Sequence, residues 1–144
     1  MDILHTVYLG LGSNQGDRKA FLDTACREIE KRVGAIVRQS SYYETKPWGF
    51  DSGNAFVNAV VKVETTLTPR QLLRATQQIE RLTGKRREHA TERGAVTVYH
   101  DRPIDIDILL YDDITIDEPD LKIPHPLMRQ RPFVMQPLDE VMNT

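Results

Sequence analysis

Arg102-Pro-Ile-Asp-Ile-Asp-Ile-Leu-Leu110 decides the reading of this chain. Isoleucine occupies 104, 106 and 108, and Asp105 and Asp107 stand between them. A period of two is that of a β-strand, in which successive side chains point to opposite faces. The isoleucines therefore face a core, and the two carboxylates share the other face with Cα atoms roughly 6 to 7 Å apart. Leu109 and Leu110 are apolar at both parities, as in a strand covered on both faces toward its end. Carboxylates beside a buried segment need a cation. One reading makes them the polar face of an edge strand, with Lys or Arg across the ladder. The other makes them ligands of a hard ion such as Mg²⁺, which takes oxygen donors and substrate phosphates together.

Basic residues gather around this strand. Lys85, Arg86, Arg87, Arg93 and Arg102 precede it, and Arg129 and Arg131 follow His125. Residues 85–101 form a long polar stretch, with only a short strand expected at 95–99, and a loop of that length in a compact domain is usually functional. Arginines that clamp phosphates, beside two metal-binding carboxylates, are the parts phosphoryl transfer needs. We expect this basic loop to close over bound substrates.

Further out, the periodicities give the remaining elements. Residues 5–11 read as a first strand with Val7, Leu9 and Leu11 on one face. From Arg18, apolar positions recur at three and four through Val33, predicting a helix that Gly34 caps. Residues 36–44 and 55–65 read as two further strands, joined by the Pro/Gly-rich stretch 45–54. Thr68-Pro-Arg-Gln71 is a capping box with proline at the first helical position. The second helix then carries Leu72, Leu73, Thr76, Ile79 and Leu82 inward and stops at Gly84. A short strand at 114–116 and a final helix after Pro124-His125-Pro126 complete the chain. The order strand, helix, strand, strand, helix, strand predicts an α+β fold: a ferredoxin-like antiparallel sheet backed by helices, with C-terminal additions.

Composition narrows the function. With 144 residues, 40% of them hydrophobic and 28% charged, the chain suits one domain over residues 1–144 with one core. A formal net charge of −2 argues against nucleic-acid binding by the protein as a whole. The single cysteine, Cys26, lies in a helical pattern and reads as an inert thiol, and the four scattered histidines have no zinc spacing. No apolar run of about 20 residues and no secretory leader pattern appears, so a cytoplasmic protein without a membrane partner is expected. Gly10, Gly12 and Gly16 do not have the spacing of a dinucleotide fingerprint, and Gly84-Lys85-Arg86 does not complete a P-loop.

Several separated motifs together resemble the 6-hydroxymethyl-7,8-dihydropterin pyrophosphokinases of folate biosynthesis. They are Leu11-Gly-Ser-Asn-Gln-Gly-Asp-Arg18, Phe56-Val-Asn58-Ala, Arg102-x-x-Asp105-x-Asp107-Ile-Leu, and Ile123-Pro-His125-Pro-x-Met-x-x-Arg131-x-Phe133. The resemblance implies transfer of the pyrophosphoryl group of ATP to the hydroxymethyl oxygen of the pterin, releasing AMP, with Asp105 and Asp107 holding two Mg²⁺ ions. It assigns Asn58 to the pyrimidine-like edge of the pterin, Thr45 and Lys46 to its recognition, Phe56 and Phe133 to its faces, and Trp48 to the pocket wall. For ATP it implies Gln77, Glu80, Lys85, Arg87, Arg102, Ile108, His125 and Arg131, with Arg87 and Arg102 also catalytic. The substrates ATP and a reduced pterin, and a monomer, are the partners expected. The chain departs from the family's frequent pattern at Tyr99-His100-Asp101, and Phe56 replaces a frequent tyrosine. From the residues alone, a nucleotidyltransferase releasing pyrophosphate and a small regulatory module that binds a nucleotide or RNA without chemistry are the competing readings.

Overall fold

Val7, Leu9 and Leu11 alternate with Tyr8, Gly10 and Gly12 along the first strand, and the sheet is organised around that alternation. The structure is a computed structural model and describes residues 3–14, 16–45, 55–83 and 104–142. β1 (His5–Ser13) leads to α1 (Arg18–Arg32), then to β2 (Gly34–Gln39), β3 (Tyr43–Thr45) and β4 (Phe56–Thr65). α2 (Pro69–Leu82) and β5 (Asp105–Tyr111) follow, then the hairpin of β6 (Ile116–Glu118) and β7 (Leu121–Ile123), a short 3-10 turn at Met128–Gln130 and α3 (Pro132–Met142). The main sheet runs β2-β4-β1-β5 with β3 also on β4, and every pairing is antiparallel. This is the α+β arrangement that the element order predicted.

The two faces of the sheet have different covers. On one, Leu22, Ala25 and Ile29 of α1 and Leu72 and Ile79 of α2 pack onto the buried odd-numbered residues of β1 and onto Val57, Val61, Val63, Ile106 and Ile108. On the other, Val134, Leu138 and Val141 of α3, with Met128, cover Val60 and Leu109, and Tyr8 and Leu110 pack partly buried against them. That third layer explains why β5 turns apolar at both parities toward its end. It leaves the neighbouring part of the same face, over Gly10 and Gly12, for a cleft.

Local chemistry sets the boundaries. Thr68 caps α2 with its hydroxyl accepting from the Gln71 amide, while the Gln71 side chain accepts from the Thr68 amide, completing the expected capping box. Gly34 does not cap α1 as expected. Val33 is the cap, in right-handed conformation, and Gly34 opens β2. Glycine is needed there because a Cβ would lie 2.0 Å from the Glu64 carbonyl oxygen across the ladder. Nor is 36–44 one strand. Ser40 interrupts it, its Oγ accepting from the Val60 amide and its own amide donating to the Val60 carbonyl.

Two further expectations are corrected. Leu82 is exposed rather than inward, because the buried stripe passes from Ile79 to Thr83, whose hydroxyl donates to the Ile79 carbonyl. The strand expected at 114–116 is instead the β6–β7 hairpin. Arg70 of α2 anchors it through ion pairs to Glu118 and Asp120. Gly84 and the strand expected at 95–99, with the whole basic loop, lie outside the described residues.

Candidate active site

Three strands place the site in register. Gly12 of β1 pairs with Asn58 of β4 on one side and with Asp105 of β5 on the other. One row along, Gly10 pairs with Val60 and with Asp107. At a strand spacing of about 4.8 Å, Asn58 and Asp105 therefore stand roughly 10 Å apart across a residue with no side chain. β5 is the outermost strand of the described sheet, but Asp105 and Asp107 face glycines across the ladder, not the Lys or Arg of the edge-strand reading.

The glycines form the floor of a cleft of about 740 Å³, with Asp105 and Asp107 on one wall and Thr45, Phe56 and Asn58 on the other. Asn58 is 7% exposed, and its Nδ2 donates to Thr45 Oγ1 at 3.1 Å. A Cβ on Gly12 would come within 3.1 Å of Asn58 Oδ1, so glycine there keeps the amide in place. Arg131, just before α3, and Phe133, in its first turn, enter from the far side, the guanidinium lying 5.8 Å from the centre of the Phe133 ring. Phe56 and Phe133 are thus cleft residues that are only partly buried, rather than plain core.

His125 follows a cis Ile123–Pro124 peptide, and its amide donates to the Leu109 carbonyl, which docks the segment against β5. Its Nδ1 accepts from the Leu127 amide, leaving the proton of the neutral ring on Nε2, 4.0 Å from Asp107 Oδ2. It is therefore a turn residue that also faces the carboxylates. Burial pushes its pKa below the usual histidine value, Arg131 adds to that, and the charge of Asp105 opposes it. Neutral imidazole is the form at pH 7.

Asp105 and Asp107 suit the ion expected of them. They offer hard oxygen donors, and among the described residues no group of three His, Cys, Asp or Glu side chains forms an all-protein cage. Mg²⁺ commonly binds in this manner, through one or two carboxylates with water and phosphate completing the octahedron.

Other expected residues lie elsewhere. Gln77 is exposed on α2, outside the cleft lining. Glu80 is buried, and one of its carboxylate oxygens accepts from the Ile106 amide at 2.8 Å, covering the outer edge of β5. The Ile108 side chain is in the core beneath the helices, so contact with ATP would fall to its backbone. Lys46, Trp48, Lys85, Arg87 and Arg102 lie outside the described residues. Sequence reasoning dismissed Gly10 and Gly12 once the dinucleotide fingerprint failed. Their spacing of two, at the parity opposite Leu9 and Leu11, was the available signal for a bare strip on a strand. Leu127, Gln130 and Gln136 also line the cleft and were not anticipated.

A family model described as 7,8-dihydro-6-hydroxymethylpterin-pyrophosphokinase matches residues 8–143. The chain is 48% identical over 136 residues to a 2-amino-4-hydroxy-6-hydroxymethyldihydropteridine pyrophosphokinase of Porphyromonas gingivalis, covering 94% of this chain and 89% of that one. It is 40% identical to the protein of the same name from Aquifex aeolicus, covering 94% and 79%. The wild-type HPPK-DHPS of Plasmodium falciparum solved with SDX-DHP superposes with a TM-score of 0.75 at 18% identity, over 97% of this chain and 41% of that one. The present chain thus spans about two-fifths of that solved protein, and the likeness concerns the fold. With a family model running through all three strands of the cleft and relatives up to nearly half identical along the chain, this protein belongs to the 7,8-dihydro-6-hydroxymethylpterin-pyrophosphokinase family.

Proposed function

We propose that the cleft over Gly12 is where the family's reaction takes place, with the pterin lying between Asn58 and the two aspartates, and with Asp105 and Asp107 holding two Mg²⁺ ions. As a pyrophosphokinase, the chain transfers the pyrophosphoryl group of ATP to the hydroxymethyl oxygen of 6-hydroxymethyl-7,8-dihydropterin in folate biosynthesis. The new bond forms between that oxygen, whose proton passes to solvent, and the β-phosphorus, the bond from the β-phosphorus to the α–β bridging oxygen breaks, and AMP leaves with that oxygen.

The row Asn58–Gly12–Asp105 carries the placement. A flat bicyclic ring fits above a residue without a side chain. The Asn58 amide, which both donates and accepts, meets the pyrimidine-like edge, with Thr45 beside it. The opposite end, bearing the hydroxymethyl group, then points to Asp105 and Asp107. Phe56 and Phe133 supply the apolar faces. Two Mg²⁺ ions at the aspartates would neutralise the triphosphate and favour the deprotonated hydroxymethyl oxygen. Arg131 and neutral His125 Nε2–H donate toward the phosphates from the α3 side. Arg87, Arg102 and Lys85, with Gln77, Glu80 and the Ile108 backbone, complete the ATP site, and Lys46 and Trp48 the pterin site. A single domain acting as a cytoplasmic monomer completes the reading; among the described residues no helix is long and apolar enough to cross a membrane.

The test is to incubate the protein with ATP, Mg²⁺ and the pterin. AMP and pyrophosphorylated pterin should form in equal amounts, and Asn58→Ala should raise KM for the pterin with little change in KM for ATP. An unchanged pterin KM in Asn58→Ala would refute the placement.

A further inference from the structure

Arg18, the first residue of α1, reaches across the sheet end at which the pterin-facing residues sit. Its Nη1 donates to the Ala55 carbonyl at 2.7 Å, and its Nη2 lies 3.1 Å from Glu44 Oε2. Glu44 belongs to β3, and Ala55 immediately precedes β4. One guanidinium therefore holds both strands where the β3–β4 pair ends.

The register shows what this controls. Tyr43, Glu44 and Thr45 pair with Asn58, Val57 and Phe56. Val57 points into the core under the helices, so its partner Glu44 is on the helix side, where Arg18 takes it. Thr45, Phe56 and Asn58 are on the cleft side. Arg18 is absent from the cleft lining. It acts from behind, fixing the last rung of the pair so that Thr45 Oγ1 stays within 3.1 Å of Asn58 Nδ2. A planar fork can serve a carbonyl and a carboxylate at once, which an ammonium cannot do with the same geometry.

We infer that Arg18 is a positioning residue for the pterin: by clamping Glu44 and Ala55 it presets the Thr45–Phe56–Asn58 wall, and so determines affinity for the pterin without affecting that for ATP. This rests on the pterin placement proposed above. Preorganised walls bind more tightly because the ordering cost is met before the ligand arrives.

The test measures Kd for 6-hydroxymethylpterin with Mg²⁺ and a saturating nonhydrolysable ATP analogue, and separately Kd for the analogue. Arg18→Met should weaken pterin binding about tenfold, the scale of one lost charge-assisted hydrogen bond, with the analogue's Kd unchanged. Arg18→Lys should recover part of the loss. Unchanged pterin affinity in Arg18→Met, or equal weakening of both ligands, would overturn the inference. Should Arg18→Met fail to fold, Glu44→Gln serves, since Glu44 is 61% exposed: about threefold weaker pterin binding is expected, and none would overturn the inference. Asn58→Ala is measured in parallel. If it weakens pterin binding while Arg18→Met does not, only the clamp fails; if it does not weaken binding, the pterin placement itself fails.

Discussion

Asn58 and Asp105 occupy one row of the sheet on either side of Gly12, so an amide and a carboxylate face a common space from two different strands. The separation is set by backbone hydrogen bonding alone. Anything that fills the middle position should therefore affect the site before it affects the fold.

Gly12→Ala and Gly10→Ala form a matched pair. A Cβ at Gly12 would sit 3.1 Å from Asn58 Oδ1, whereas the nearest atoms to one at Gly10 are side-chain carbons of Leu109 at 3.5 Å and beyond, an ordinary contact. Gly12→Ala should raise KM for the pterin about five- to thirtyfold, corresponding to about 1 to 2 kcal/mol of disturbed hydrogen bonding. Gly10→Ala should change it by less than about threefold. Equal effects in steady-state kinetics would show that the floor is not what separates the two positions.

Gly34→Ala should act on stability only. The Cβ would overlap the Glu64 carbonyl, forcing β2 away from β4 at a cost of about 2 to 3 kcal/mol. Denaturant unfolding should report that loss, with kcat per folded molecule preserved because β2 contributes no residue to the cleft. Wild-type stability in this variant would contradict the close approach.

Glu140 gives a pH signature. The Ser41 amide, followed by the Tyr43 hydroxyl, holds the Glu140 carboxyl below its ordinary value of 4.5. A folded pKa below the unfolded one contributes stability that is complete above the unfolded value and lost as pH falls through the folded one. The Tm difference between wild type and Glu140→Gln should therefore be largest near neutrality and shrink below about pH 4.5. A difference that grows on acidification would reverse the assignment. The effect is small, because the carboxylate is exposed.

Cys26 should be slow to react. Burial, reinforced by Asp23 and Glu30, pushes its thiol up to about 11, so little thiolate exists at neutral pH. Labelling by a disulfide reagent should accelerate steadily with pH up to that value. Rapid labelling at pH 7 would contradict the helix-side packing of this residue.

The sequence made the carboxylate wall of the cleft legible because Ile104, Asp105, Ile106, Asp107 and Ile108 state strand period and face together, and Thr68 to Gln71 states a helix start. Features that depend on which strands become neighbours were not legible. Gly34 reads as a helix cap until Glu64 is known to lie opposite, and Gly10 and Gly12 read as a failed nucleotide fingerprint until they are seen between Asn58, Val60 and the aspartates. Arg18 reads only as the start of a helical pattern until the end of β3 and the start of β4 are seen beside it. Leu82 was misplaced because a stripe with steps of three and four can end on either residue, and the end of α2 selected Thr83. The bulk of the expected phosphate-binding arginines falls within residues 84–103.

The most direct test of the account is kcat for Asp107→Asn at saturating ATP, pterin and Mg²⁺, measured together with Tm. The substitution keeps side-chain volume and removes the charge that faces the cleft. The account predicts a fall in kcat on the order of 10²-fold or more at nearly unchanged Tm. Turnover within a few-fold of wild type would contradict the assignment of Asp105 and Asp107 as the paired ligands on which the transfer depends.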